Sequence, residues 1–239
     1  SLQPKLHTEK PAMKKIQTSL LIALVLLSGN GFSQTVIFTQ YYEGTSSNKW
    51  IEIKNISQTS IDLDLGVYKL SIWTNANTEA YKSDGNPSGT LALTGVMASG
   101  EVRLIYNSAS TLPAYALTYD PRLIGNTVVN FNGDDSLTLW TGATFSTASI
   151  IDAIGFTDAG SEGANTSFVR ISNAAGWNTT SGSTVENFPS VWSEVTLAAV
   201  ADAAVGSNER LGFSTVAVVP EPSTYAMLAL AGAGFAGYV

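Results

Sequence analysis

The stretch KWIEIKNISQTSIDLDLGVYKLSIW, Lys49–Trp73, decides how the chain is read. In KWIEIKN, Lys49–Asn55, an extended backbone puts Ile51 and Ile53 on one face and Trp50 and Glu52 on the other. If that second face is buried, the Glu52 carboxylate must be paired or hydrogen-bonded. In IDLDL, Ile61–Leu65, apolar Ile61, Leu63 and Leu65 alternate with Asp62 and Asp64, the period of a half-buried strand with a solvated acidic face. YKLSIW, Tyr68–Trp73, is a third β run.

Outward from this block the same texture continues. Thr35–Tyr42 precedes it, and Thr90–Gly95, Glu101–Asn107, Thr127–Phe131, Ser136–Trp140, Ser149–Phe156 and Ser167–Ile171 follow, separated by Gly, Asn, Asp, Ser and Pro. About ten short strands with turn signals at this spacing predict an all-β, antiparallel β-sandwich over residues 34–197. No helical period persists before the C-terminal apolar run, and no repeat of solenoid or propeller length is visible. Residues 198–218, rich in Ala, Gly, Ser and Val, read as a linker. Trp50, Trp73, Trp140, Trp177 and Trp192 supply bulky apolar bodies, expected in the core rather than on a ligand platform.

Both ends carry targeting chemistry. Met13-Lys14-Lys15, the apolar LLIALVLL at Leu20–Leu27 and small residues up to Ser33 form the three parts of a secretory signal, with cleavage expected between Ser33 and Gln34. We expect residues 1–12 to be upstream of the true start, 13–33 to be the signal peptide, and signal peptidase to be a partner.

The chain has twelve basic and nineteen acidic residues, one histidine and no cysteine. Removing residues 1–33 takes away four of the basic residues, one of the acidic ones and His7, the sole histidine, leaving a net charge of −10. Scattered single lysines and arginines give no basic footprint, so nucleic acid is not an expected partner. Without His or Cys, Ser-His-Asp and Cys-His nucleophiles, His-ligated zinc and the usual neutral-pH general base are excluded from the mature region. A carboxylate-only mechanism or an oxygen-ligand metal site survives.

YYEGTSSNKWIEIKNISQTSIDLDLGVYKLSIW, followed downstream by FNGDDSLTLW and IIDAIG, resembles the lamin-tail domain family in its bacterial exported branch. The positions that carry the likeness are Trp50, Glu52, Asn55, Ile61, Asp62, Leu63, Leu70, Asn132, Gly133, Asp134, Asp135, Asp152 and Gly155, over roughly Val36 to Trp192. The resemblance implies an immunoglobulin-like β-sandwich and an accessory module of surface or secreted proteins, and no catalytic residues are carried over. At the other end, residues 219–239 resemble the PEP-CTERM sorting signal of Gram-negative surface proteins, with Val219, Pro220, Glu221, Pro222, Ser223 and Thr224 matching its motif. That resemblance implies an exosortase-type partner, transient inner-membrane anchoring, and delivery to the outer envelope or extracellular matrix. Tyr225–Val239 spans about 22 Å as a helix, short of a ~30 Å hydrocarbon core, and no Lys or Arg follows. We expect either a longer anchor in the natural chain or a degenerate one.

One polar constellation stands out. NFNGDDS, Asn130–Ser136, offers oxygens from Asn132, Asp134 and Asp135 to a calcium ion. The competing reading, which we favour, is a two-residue hairpin with Asn132-Gly133 as the central pair of a type I′ turn. No other cofactor is expected. Three functions are therefore ordered: a non-enzymatic surface or matrix module, a calcium-dependent carbohydrate-binding or adhesion module that recognises polysaccharide or surface proteins, and an extracellular hydrolase with paired carboxylates. Asn55, Asn165 and Asn178 head glycosylation sequons, which matter only in a host that reads them.

Overall fold

The alternating runs form strands that hydrogen-bond into sheets. The computed structural model describes residues 35–75, 85–119, 122–156, 163–178 and 185–219. The signal segment, the Ser33/Gln34 cleavage position and the sorting residues Pro220 to Thr224 lie outside the described residues, as does the apolar run after them. The strands are β1 Val36–Glu43, β2 Lys49–Asn55, β3 Ile61–Asp62, β4 Tyr68–Trp73, β5 Gly89–Ala92, β6 Val96–Met97, β7 Val102–Tyr106, β8 Leu123–Gly125, β9 Ser136–Thr141, β10 Ile150–Ile154, β11 Thr166–Arg170 and β12 Trp192–Val195. A short α-helix, α1, follows at Leu197–Ala201, capped by the Thr196 hydroxyl accepting from Ala199 N–H.

A six-stranded sheet runs in the order β12-β11-β1-β2-β7-β8 and a four-stranded sheet in the order β10-β9-β4-β5, with β3 and β6 pairing separately. One apolar core takes side chains from both larger sheets: Phe38, Tyr41, Ile51, Ile53, Ile105 and Phe168 from the first, and Leu70, Ile72, Leu137, Leu139 and Ile154 from the second. A register shift between Phe38 and Gln40 breaks the strict alternation of β1, so Phe38 and Tyr41 both reach this core. Tyr41 gathers the rings of Phe131, Phe156 and Phe168 around it. Trp50, Trp73, Trp140 and Trp192 are buried, as expected, and Trp177 is half-buried.

Three expectations about elements are corrected. The run Ile61–Leu65 is a strand only at Ile61–Asp62, because the Asp62 carboxylate accepts from Asp64 and Leu65 N–H and curls the chain into a turn. Thr127–Phe131 is irregular rather than a strand, although Val129 and Phe131 are fully buried. The sheet is not wholly antiparallel, since β8 pairs with β7 in parallel through Leu104, Ile105 and Tyr106.

The expected linker, residues 198–218, also proves different. Val200, Leu211 and Val216 are buried, and the compact unit extends to Val219. Val200 and Leu211 pack with Trp50, Leu104 and Ala116, while Val216 packs with Ile37 and Ile56. These contacts cover the outer face of β1, β2 and β7, so every residue of β2 is buried. A run of small residues can pack closely onto a sheet, and composition alone does not distinguish that from a free linker.

Candidate functional site

Glu52 lies in the middle of β2 on the face opposite Ile51 and Ile53, and only 1% of it is exposed. Its two oxygens are both taken: Thr39 Oγ1 donates to Oε1 at 2.6 Å and Gly212 N–H donates to Oε2 at 2.6 Å. Burial pushes its pKa up to about 7, against the two hydrogen bonds and the charges of Lys54 and Arg122. A carboxyl of that pKa would suit a general acid. The packed segment carrying Gly212 covers it, and both oxygens already serve the fold.

Asp152, the acid of IIDAIG, is equally structural. Its Oδ2 accepts from Arg170 Nη1 at 2.6 Å and from Phe38 N–H at 2.8 Å, and both charged side chains are fully buried. Arg170 further donates to the carbonyls of Phe38, Ser172 and Ala174. The pair thereby ties β10 of the smaller sheet to β1 and β11 of the larger one. Burial raises the Asp152 pKa, and the Arg170 guanidinium and the Phe38 and Ala153 N–H groups oppose that rise. The sequence marked Asp152 but not Arg170, because nothing local signals a partner 18 residues away.

Asn55, third in the lamin-tail-like set, is fully buried. Its amide nitrogen donates to the carbonyls of Thr59, Met97 and Ala98, and its oxygen accepts from the Ser57 N–H and hydroxyl. An amide so engaged is closed to glycosylation in the folded chain.

The structure does bring Asn132, Asp134 and Asp135 together. Asp135 N–H donates to Asn132 C=O at 3.0 Å, so the turn centres on Gly133-Asp134 rather than Asn132-Gly133. Neither central residue has the positive φ that a type I′ turn demands, and only the β9 side is a strand. The expected hairpin is thus a turn leading into β9. Asp135 Oδ2 accepts from Asn132 N–H at 2.8 Å and Oδ1 from Asn75 N–H at 2.7 Å. Turned so that its nitrogen meets the carboxylates, the Asn132 amide donates to Asp135 and to Asp134 Oδ1. Burial raises the Asp135 pKa, and the backbone donors pull against it. Among the described residues, no three or more His, Cys, Asp or Glu side chains gather as a metal site.

A surface cleft of about 380 Å³ lies between β4, β5 and residues 126–130. Hydroxyls and amides of Thr74, Ser88, Thr90, Asn126, Thr127 and Asn130 line it around Ile72 and Val128, without an ionisable side chain among the described residues. Sequence reasoning missed this cleft, whose polar residues resemble ordinary turn residues until the fold brings them together.

Among the described residues, no helix is long and apolar enough to cross a membrane. No curated protein matches the chain. Among solved structures, a DUF4876 family protein from Bacteroides thetaiotaomicron is similar at 11% identity, with 69% of each chain covered and a TM-score of 0.40. Residues 218–239 match the family model of the PEP-CTERM protein-sorting motif. Residues 218–239 therefore carry the sorting motif of an exported protein processed by an exosortase-type enzyme.

Proposed function

We propose that this protein is a non-enzymatic surface or matrix module, an immunoglobulin-like β-sandwich of lamin-tail type, released to the outer envelope after export and sorting. The observation that carries the reading is the engagement of Glu52, Asn55 and Asp152. These polar side chains from the lamin-tail-like pattern are buried and hydrogen-bonded within the chain. Residues that hold a fold together in this way support a scaffold more than a reaction centre. Signal peptidase acts at Ser33/Gln34, and the exosortase-type enzyme acts on the Pro220-Glu221-Pro222 motif.

The test has two arms. N-terminal sequencing of the exported protein should begin within a few residues of Gln34, and cells lacking the exosortase-type enzyme should retain an unprocessed precursor. The purified chain should also show no hydrolysis of nucleic acid, peptide or polysaccharide above buffer. Activity abolished by Glu52→Gln with the fold intact would replace this reading with the hydrolase.

The hydroxyl- and amide-lined cleft favours a second reading, a module that binds neutral polysaccharide. Affinity electrophoresis in matrix polysaccharide should then show retardation that Asn126→Ala/Asn130→Ala removes. Unretarded migration of the native protein would dismiss it.

A further inference from the structure

Residues 208–219 cross the outer face of the larger sheet as a strap held largely by side chains. Asn208 Nδ2 donates to Arg170 C=O at 2.9 Å, and Gln40 Nε2 donates to Glu209 C=O at 3.1 Å. Gly212 N–H reaches Glu52, as described above, and Lys54 Nζ donates to the carbonyls of Ser214 at 2.7 Å and Val216 at 2.6 Å. Val219 N–H donates to Ile56 C=O at 2.7 Å. Along this path Ser214 and Val216 face inward and Thr215 and Ala217 outward, so the backbone is extended and its inner side is occupied. The next residue in the chain is Pro220 of the sorting motif.

An enzyme that binds an extended peptide pairs with the peptide's backbone N–H and C=O groups. Ahead of Pro220, the Gly212 and Val219 N–H groups and the Ser214 and Val216 carbonyls are committed to Glu52, Ile56 and Lys54. No spacer separates the docked strap from the motif. We propose that the strap gates sorting: residues 208–219 must leave the sheet before the exosortase-type enzyme can engage the motif, and Glu52 and Lys54 are the positioning residues that set how often this happens. The inference rests on exosortase-type processing of this tail. Segments held by a few exposed or side-chain bonds open locally without global unfolding. A ligand that needs the open form acts in proportion to the open fraction.

The experiment follows precursor conversion of the full chain by pulse-chase immunoblotting in cells that contain the exosortase-type enzyme. Three variants are compared with the native chain: Lys54→Met, which removes both carbonyl clamps; Gly212→Pro, which removes the N–H bound by Glu52 at a position of φ 76° that proline cannot adopt; and a six-residue Gly-Ser insertion between Ala217 and Val218, ahead of the matched motif. Hydrogen exchange of peptides spanning 211–219 and 49–53 reports strap opening and core integrity separately. Both point variants should open the first peptide, keep the second protected and convert several-fold faster. The insertion should convert at a similarly raised rate and no longer respond to Lys54→Met. Unchanged or slower conversion with a demonstrably open strap overturns the gate. Precursor that persists in these cells for the native chain and the opened variants alike, or that converts equally without the enzyme, overturns the processing reading itself and the gate with it.

Discussion

Glu52 shows how one residue can couple packing to pH. Its folded pKa of about 7 lies above the ordinary 4.5 because burial disfavours the charged form. The folded state therefore holds the proton more tightly than the unfolded chain. The associated stability is fully present below about pH 4.5 and is lost as pH rises through about 7. Glu52→Gln can keep both contacts, with the amide nitrogen toward the Thr39 hydroxyl and the oxygen toward Gly212 N–H. Urea unfolding should find the variant close to the native protein at pH 4.5 and more stable at pH 8, by up to about 3 kcal/mol. A pH-independent difference between the two would mean that Glu52 does not titrate in this window.

At the scale of elements, the turns depart furthest from simple expectation. The Asp62–Tyr68 turn places Val67 at φ 51°, a left-handed conformation that a β-branched residue tolerates poorly. Val67 is 41% exposed, so little burial is lost on shortening it. Val67→Gly should raise stability by about 1 kcal/mol, read as a higher urea midpoint with an unchanged slope. The Gly133-Asp134 turn gives a different test. Its Asp135 carboxylate already accepts two backbone N–H groups, so millimolar Ca²⁺ should barely move the melting temperature. A rise of several degrees, lost in Asp134→Asn/Asp135→Asn, would establish a calcium site instead.

For the whole described unit, the C-terminal segment is part of the fold. A chain ending at residue 197 exposes the partners of Val200, Leu211 and Val216, including Trp50, Leu104, Ile37 and Ile56. At roughly 1.5–3 kcal/mol for each buried aliphatic side chain, its loss should cost several kcal/mol relative to a chain ending at Val219. Denaturant unfolding of the two chains checks this, and dye binding to the uncovered sheet should accompany the loss.

The sequence by itself determined the all-β class and most of the strand positions. Alternation within Lys49–Asn55 and Tyr68–Trp73 is a local record of which face meets the core. It also determined the sorting motif, because Pro220-Glu221-Pro222 before an apolar run is read as a linear signal. Only the tertiary structure decided that Glu52 is clamped by Thr39 and Gly212, that Asp152 belongs with Arg170, and that residues 198–219 cover the sheet. The physical reason is distance along the chain. Gly212 lies 160 residues from Glu52, and a contact of that separation depends on the summed path of every intervening strand and turn. Small residues such as those of 198–218 carry little pattern of their own, so the hydrophobic face they cover, rather than their own sequence, selects their conformation.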